Sequence, residues 1–72
     1  METTYAMPHR LRRGHYVIHY KRASELNRWP VTEGDSLYGW PTLNAVRDAI
    51  RSHGWTLVAR WYDAAVAEEA AR

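Results

Sequence analysis

The stretch WPTLNAVRDAIRSHGWTLVARWY, Trp40 to Tyr62, decides the fold class, because it reads as an amphipathic helix that stops at a glycine and turns into a strand. Pro41 and Thr42 suit a helix start: proline needs no N–H partner there, and the threonine hydroxyl oxygen can accept from the first free amides. Leu43, Val46 and Ile50 recur at helical spacing with Ala45 and Ala49 beside them, while Asn44, Arg47, Asp48 and Arg51 fall on the opposite side. The spacing predicts a helix over Leu43 to Ser52 with one stripe built for burial. Gly54 follows Ser52 and His53 where a left-handed cap is expected. From Trp55 the period becomes two, with Trp55, Leu57, Ala59 and Trp61 facing one way and Thr56, Val58, Arg60 and Tyr62 the other, which predicts a half-buried strand.

Seventy-two residues make one domain, near the size at which a single apolar core barely outweighs chain entropy. Without cysteine there is neither a disulfide nor a thiolate metal site, so four tryptophans and five tyrosines must supply much of the buried area. A homodimer is one way to gain what a short chain lacks. No run approaches the roughly 18 apolar residues of a membrane span and no apolar leader opens the chain, so the expectation is a cytoplasmic protein that does not enter a membrane. Nine of the ten basic residues are arginine, with Lys21 the sole lysine. Arginine and alanine codons are GC-rich, which suggests a high-GC bacterium or a phage as source and weakens any argument from the number of arginines.

Around this unit, residues 1–14 carry Pro8 and the basic run His9, Arg10, Leu11, Arg12 and Arg13 without a convincing period, and are expected to be a flexible arm. HYVIHYK, His15 to Lys21, alternates aromatic and β-branched residues and predicts the first strand, with Tyr16, Ile18 and Tyr20 on one face and His15, Val17, His19 and Lys21 on the other. Arg22 to Ser36 has loop composition but is long for a structureless connection, so a short strand is expected near Ser36 to Tyr38. Trp-Pro occurs at Trp29-Pro30 and again at Trp40-Pro41, each proline holding its tryptophan extended. Either bond is open to the cis form. The tail DAAVAEEAAR predicts a short helix over residues 63–72, with Asp63 as its cap and Glu68 paired to Arg72.

These elements predict an α+β domain over residues 15–62. Its two or three largely antiparallel strands carry the Leu43 to Ser52 helix on one face, where Tyr16, Ile18 and Tyr20 meet Trp55, Leu57 and Trp61. The other face, with His15, Val17, His19, Lys21, Thr56, Val58, Arg60 and Tyr62, is expected to stay open.

No spacing commits the chain to a chemistry. Serines, aspartates and histidines occur, but no motif sets a nucleophile beside a base, and phosphate-loop and dinucleotide fingerprints are absent, so no enzyme and no cofactor are expected. His15 and His19 lie four apart, but in a strand that is roughly 13 Å, too far to share an ion, so no metal is expected. The leading expectation is a non-enzymatic interaction module of the small accessory kind found in bacteria and phages. It docks on a protein partner or its own twin through an aromatic loop region: Trp29, Trp40, Leu37 and Tyr38. The alternative is a small nucleic-acid-binding regulator using Arg10, Arg12, Arg13, Lys21, Arg60 and Tyr62, with cations on phosphates and a ring beneath a base.

Overall fold

In a computed structural model, which describes residues 2–12, 14–34 and 38–72, the chain opens with a hairpin. The Leu11 N–H donates to the His15 C=O at 2.7 Å and the Gly14 N–H returns to the Leu11 C=O at 3.1 Å, with Gly14 at φ 82°. This turn joins β1 (Thr4–Arg10) to β2 (Tyr16–Arg22), which pair antiparallel along their whole length, from Thr4 opposite Arg22 to Arg10 opposite Tyr16. A single 3-10 turn (Ala23–Glu25) follows, then β3 (Val31–Glu33), which runs antiparallel to β2 with Tyr20 opposite Val31. Helix α1 (Leu43–Ser52) leads to β4 (Thr56–Leu57), parallel to β1, and helix α2 (Trp61–Ala70) closes the described chain. The fold is α+β: a mixed, mostly antiparallel sheet of order β3-β2-β1-β4 with two ten-residue helices.

Helix α1 has the limits its sequence predicts. The Thr42 hydroxyl accepts from the Ala45 N–H at 3.1 Å, and at the far end Gly54, at φ 75°, lets its own N–H reach the Arg51 C=O while the Trp55 N–H reaches that of Ile50. Those two bonds form a Schellman cap, which satisfies carbonyls the helix leaves over and aims the chain back at the sheet. Val46 and Ile50 lie on Ala6 and Ile18, and all four are wholly buried. Tyr16, Tyr20, Leu43, Trp55 and Leu57 pack around them. Burial of each large aliphatic chain here contributes about 1.5–3 kcal/mol.

Strand alternation puts Tyr5, Met7, His9, Val17, His19 and Lys21 on the opposite face. There α2 docks over one end: the Tyr5 hydroxyl donates to the Glu68 carboxylate, the Lys21 Nζ stands 4.7 Å from the centre of the Trp61 ring, and Ala64 is fully buried. The sheet is therefore covered on both sides near Tyr5 and Ala6.

Several expectations are corrected. The N-terminal segment is not a loose arm over Thr4–Arg10 but an inner strand, whose bonds to β2 replace those an arm would make with water. The alternation from Trp55 to Tyr62 is strand only at Thr56–Leu57. Trp61 and Tyr62 begin α2, whose cap position is Arg60 and not Asp63, with Asp63 3.3 Å from the Arg60 guanidinium in the first turn. Glu68 serves Tyr5 on the sheet and not Arg72 along the helix. The face expected to be open holds a buried Val17 and is partly roofed by α2. Most of the strand expected near Ser36 to Tyr38 lies outside the described residues, and the long connection carries its strand earlier, at Val31–Glu33. Both Trp-Pro bonds are trans.

Gly34 ends β3 at φ 96°, and a methyl group there would stand 3.2 Å from both the Trp40 ring and the Val17 side chain. Gly34→Ala therefore combines left-handed strain with overpacking and is expected to cost roughly 2 kcal/mol in urea denaturation. A loss under about 0.5 kcal/mol, the range of an ordinary surface change, would show that this contact is not tight.

Candidate functional site

Chain direction around β3 separates the two Trp-Pro tryptophans. Trp40 exchanges both backbone hydrogen bonds with Tyr16 at 2.8 Å and lays its ring against the core, so it extends the sheet on the β2 side. Trp29 precedes the first residues of edge strand β3 and is 93% exposed. Trp40, Trp55 and Trp61 are each partly buried, which leaves Trp29 as the tryptophan whose ring the fold does not use. Val31, two residues on, is 53% exposed, and Tyr38 is 78% exposed. Leu37 lies outside the described residues. Beneath Trp29 a shallow hollow of about 100 Å³ is bordered by Tyr20, Lys21, Arg22, Glu25 and Val31, so the exposed ring stands beside one carboxylate and two cations.

The residues of the nucleic-acid alternative do not converge. Arg10 and Arg12 sit at the hairpin end of the sheet. Lys21 is at the other end, on the opposite face, where its ammonium group is committed to the Leu26 carbonyl at 3.1 Å and to the Trp61 ring. Arg60 reaches Asp63 and lies 5.6 Å from the centre of the Tyr62 ring at the start of α2. Arg13 is outside the described residues. A strand of nucleic acid laid on the sheet would meet α2 where the expectation placed open β-structure.

Histidine chemistry also rearranges. Because residues 4–10 are a strand, His9, opposite Val17, and His19, opposite Met7, are diagonal neighbours on one face of the β1-β2 pair, with rings stacked 4.3 Å apart and 14° from parallel. Burial, and then the neighbouring His9, hold the His19 pKa below its ordinary value. His53, just past α1, stacks on Trp55 at 4.2 Å and places Nε2 3.1 Å from Glu33 Oε2. The Glu33 oxygen is buried and has no hydrogen bond among the described residues. Among the described residues no three histidine, aspartate or glutamate side chains gather where they could hold a metal ion. No described helix is long and apolar enough to cross a membrane. Sequence reading missed the His9/His19 pair because its signal is a cross-strand register, visible only once β1 is known to be a strand.

No protein-family model, curated protein or solved structure matches this chain. The functional reading therefore rests on its own surfaces.

Two groups tie stability to pH. Hydrogen bonding to Glu68, followed by burial and by the negative charge of Glu68, pushes the Tyr5 hydroxyl above its ordinary pKa of 10.0. A folded-state pKa above the unfolded one means that this contribution is complete below pH 10 and fades as pH rises through the folded value. Tyr5→Phe should lose about 1–2 kcal/mol at neutral pH and flatten the alkaline limb of the stability curve. His19 works in the other direction: its depressed pKa gives stability that is complete above about pH 6.5 and declines as pH falls through the folded value. Thermal unfolding of wild type, Tyr5→Phe and His19→Gln across about pH 5 to 11 measures both limbs, and parallel curves for all three would contradict the assignment.

Proposed function

We propose that this protein is a non-enzymatic interaction module that docks on a protein partner, with Trp29 as its anchor, Val31 as the contact next to it on β3, and the exposed Tyr38, which lies past the other end of β3 near Gly34, as an outlying contact. The observation that carries the reading is the exposure of Trp29 in a chain this short, where the other three tryptophans all go to packing. Pro30 holds the residue before it extended, which limits the entropy lost when the ring is captured. Tryptophan buries about 150–250 Å² in an interface, so at about 25 cal/mol per Å² full coverage supplies roughly 4–6 kcal/mol before association costs. Exposed large apolar residues on an otherwise polar edge are where such anchors are found.

The competing nucleic-acid reading has less support, because its cations are spread over both faces and its platform is partly roofed by α2.

Since Trp29 makes little contact with its own domain, Trp29→Ala is expected to change stability by less than about 0.5 kcal/mol. The same change should remove any stoichiometric protein retained from a nuclease-treated lysate by tagged wild-type chain. Undiminished retention by Trp29→Ala, or retention that vanishes with nuclease alone, would sink the reading.

A further inference from the structure

On the opposite edge of the sheet from Trp29, β4 covers only part of its neighbour. It pairs with Tyr5 and Ala6, and its last bond runs from the Val58 N–H to the Ala6 C=O at 2.9 Å. The chain then leaves at Ala59 for α2. Just outside the two ends of β1, the backbone groups of Thr3 and Leu11 bond across the hairpin to Ala23 and His15 while the Ala6 carbonyl faces β4, so by alternation Pro8 and Arg10 turn theirs to the β4 side. Past Val58 no described strand stands there. The Pro8 C=O and both the N–H and C=O of Arg10 thus form an open edge that continues the line β4 abandons. Pro8 fits this place, because the one N–H it lacks would have pointed to that vacant side.

The vacated line opens into a cavity of about 500 Å³. Its floor is apolar, made by Tyr16, Leu43 and Leu57, and among the described residues its only charged lining residues are Arg10 and Arg47. Neither arginine has a carboxylate partner among the described residues. Unpaired backbone and an apolar slot beside it are what strand addition uses, and uncompensated positive charge on two sides selects an acidic segment.

We infer that the β1 edge and its cavity receive an extended acidic segment of a partner protein, which adds as a strand along Pro8 to Arg10. One apolar side chain of that segment enters the slot and flanking carboxylates meet Arg10 and Arg47. Charge selects this occupant over a second copy of the chain: β1 against its own twin would bring Arg10 and Arg12 towards their counterparts and set two donorless prolines in one short ladder. The site is independent of Trp29, which lies at β3 on the far side of the sheet.

The test is to pan a displayed library of random twelve-residue peptides on the intact chain, then titrate the most enriched peptide, fluorescently labelled, into variants. The expected winners alternate acidic and β-branched residues. Arg47→Glu, on the exposed side of α1, should weaken them about tenfold or more without altering the near-ultraviolet dichroism of the fold. Arg10→Pro should bind worse than Arg10→Ala, since both remove the charge and only the proline removes the edge N–H. Trp29→Ala should bind as wild type does. Winners without an acidic bias, equal affinity for Arg47→Glu, or loss on Trp29→Ala would each overturn the inference. So would a single-stranded oligonucleotide that displaces every peptide from the slot, which would assign the arginines to phosphate.

Discussion

The antiparallel pairing of β1 with β2 is the constraint on which the remaining structure depends. It sets Ala6 beside Tyr20 and Pro8 beside Ile18 on the face under α1, and Tyr5 beside Lys21 and Met7 beside His19 on the face that α2 partly covers. Ala6 is the thin point of the sheet: a small residue at the centre lets Val46 and Ile50 approach closely, and its carbonyl also holds the start of the return from β4. Remove β1 and α1 loses half its floor, β4 loses the one strand it pairs with among the described residues and α2 loses the Tyr5 hydroxyl.

Helix α1 was wholly legible because all its information is local: a cap, a stripe at one period and a glycine that ends it. The face of β2 carrying Tyr16, Ile18 and Tyr20 was legible for the same reason. β1 was not, and the cause is physical. Tyr5 and Ala6 are buried on opposite faces, as are Val17 and Ile18, so a sheet covered on both sides loses the alternation by which a half-exposed strand announces itself. Pro8 and the nearby arginines then resembled a solvated arm, although proline is tolerated on an edge whose donor is not needed. The stretch from Trp55 to Tyr62 failed in the reverse sense. Aromatic residues with period two suggested a longer strand, but the tertiary position of α2 above Tyr5 and Lys21 takes Trp61 and Tyr62 into its first turn.

The candidate sites divide along the same line. Trp29 was identifiable as a residue of interest from its Trp-Pro pair, yet only the fold separates it from Trp40, which Tyr16 draws into the sheet. The cationic residues looked like one surface when β1 was an arm free to swing beside the sheet. Once β1 is fixed, Arg10 joins Arg47 beneath the α1 side, whereas Lys21 belongs to the support of α2. A sequence lists charges without their faces, and for a chain of modest net charge the faces decide what each cation can do.

Hydrogen exchange of the backbone amides probes β1 itself, because an inner strand with one open end predicts a pattern within that strand. Tyr5, Met7 and His9 turn their amides to β2 and are expected to exchange slowly, near the global rate, while Arg10, facing the open edge, exchanges fast. Uniformly fast exchange from Thr4 to Arg10 would contradict the account and return this segment to a loose arm. Uniform protection that includes Arg10 would show that the edge is already occupied.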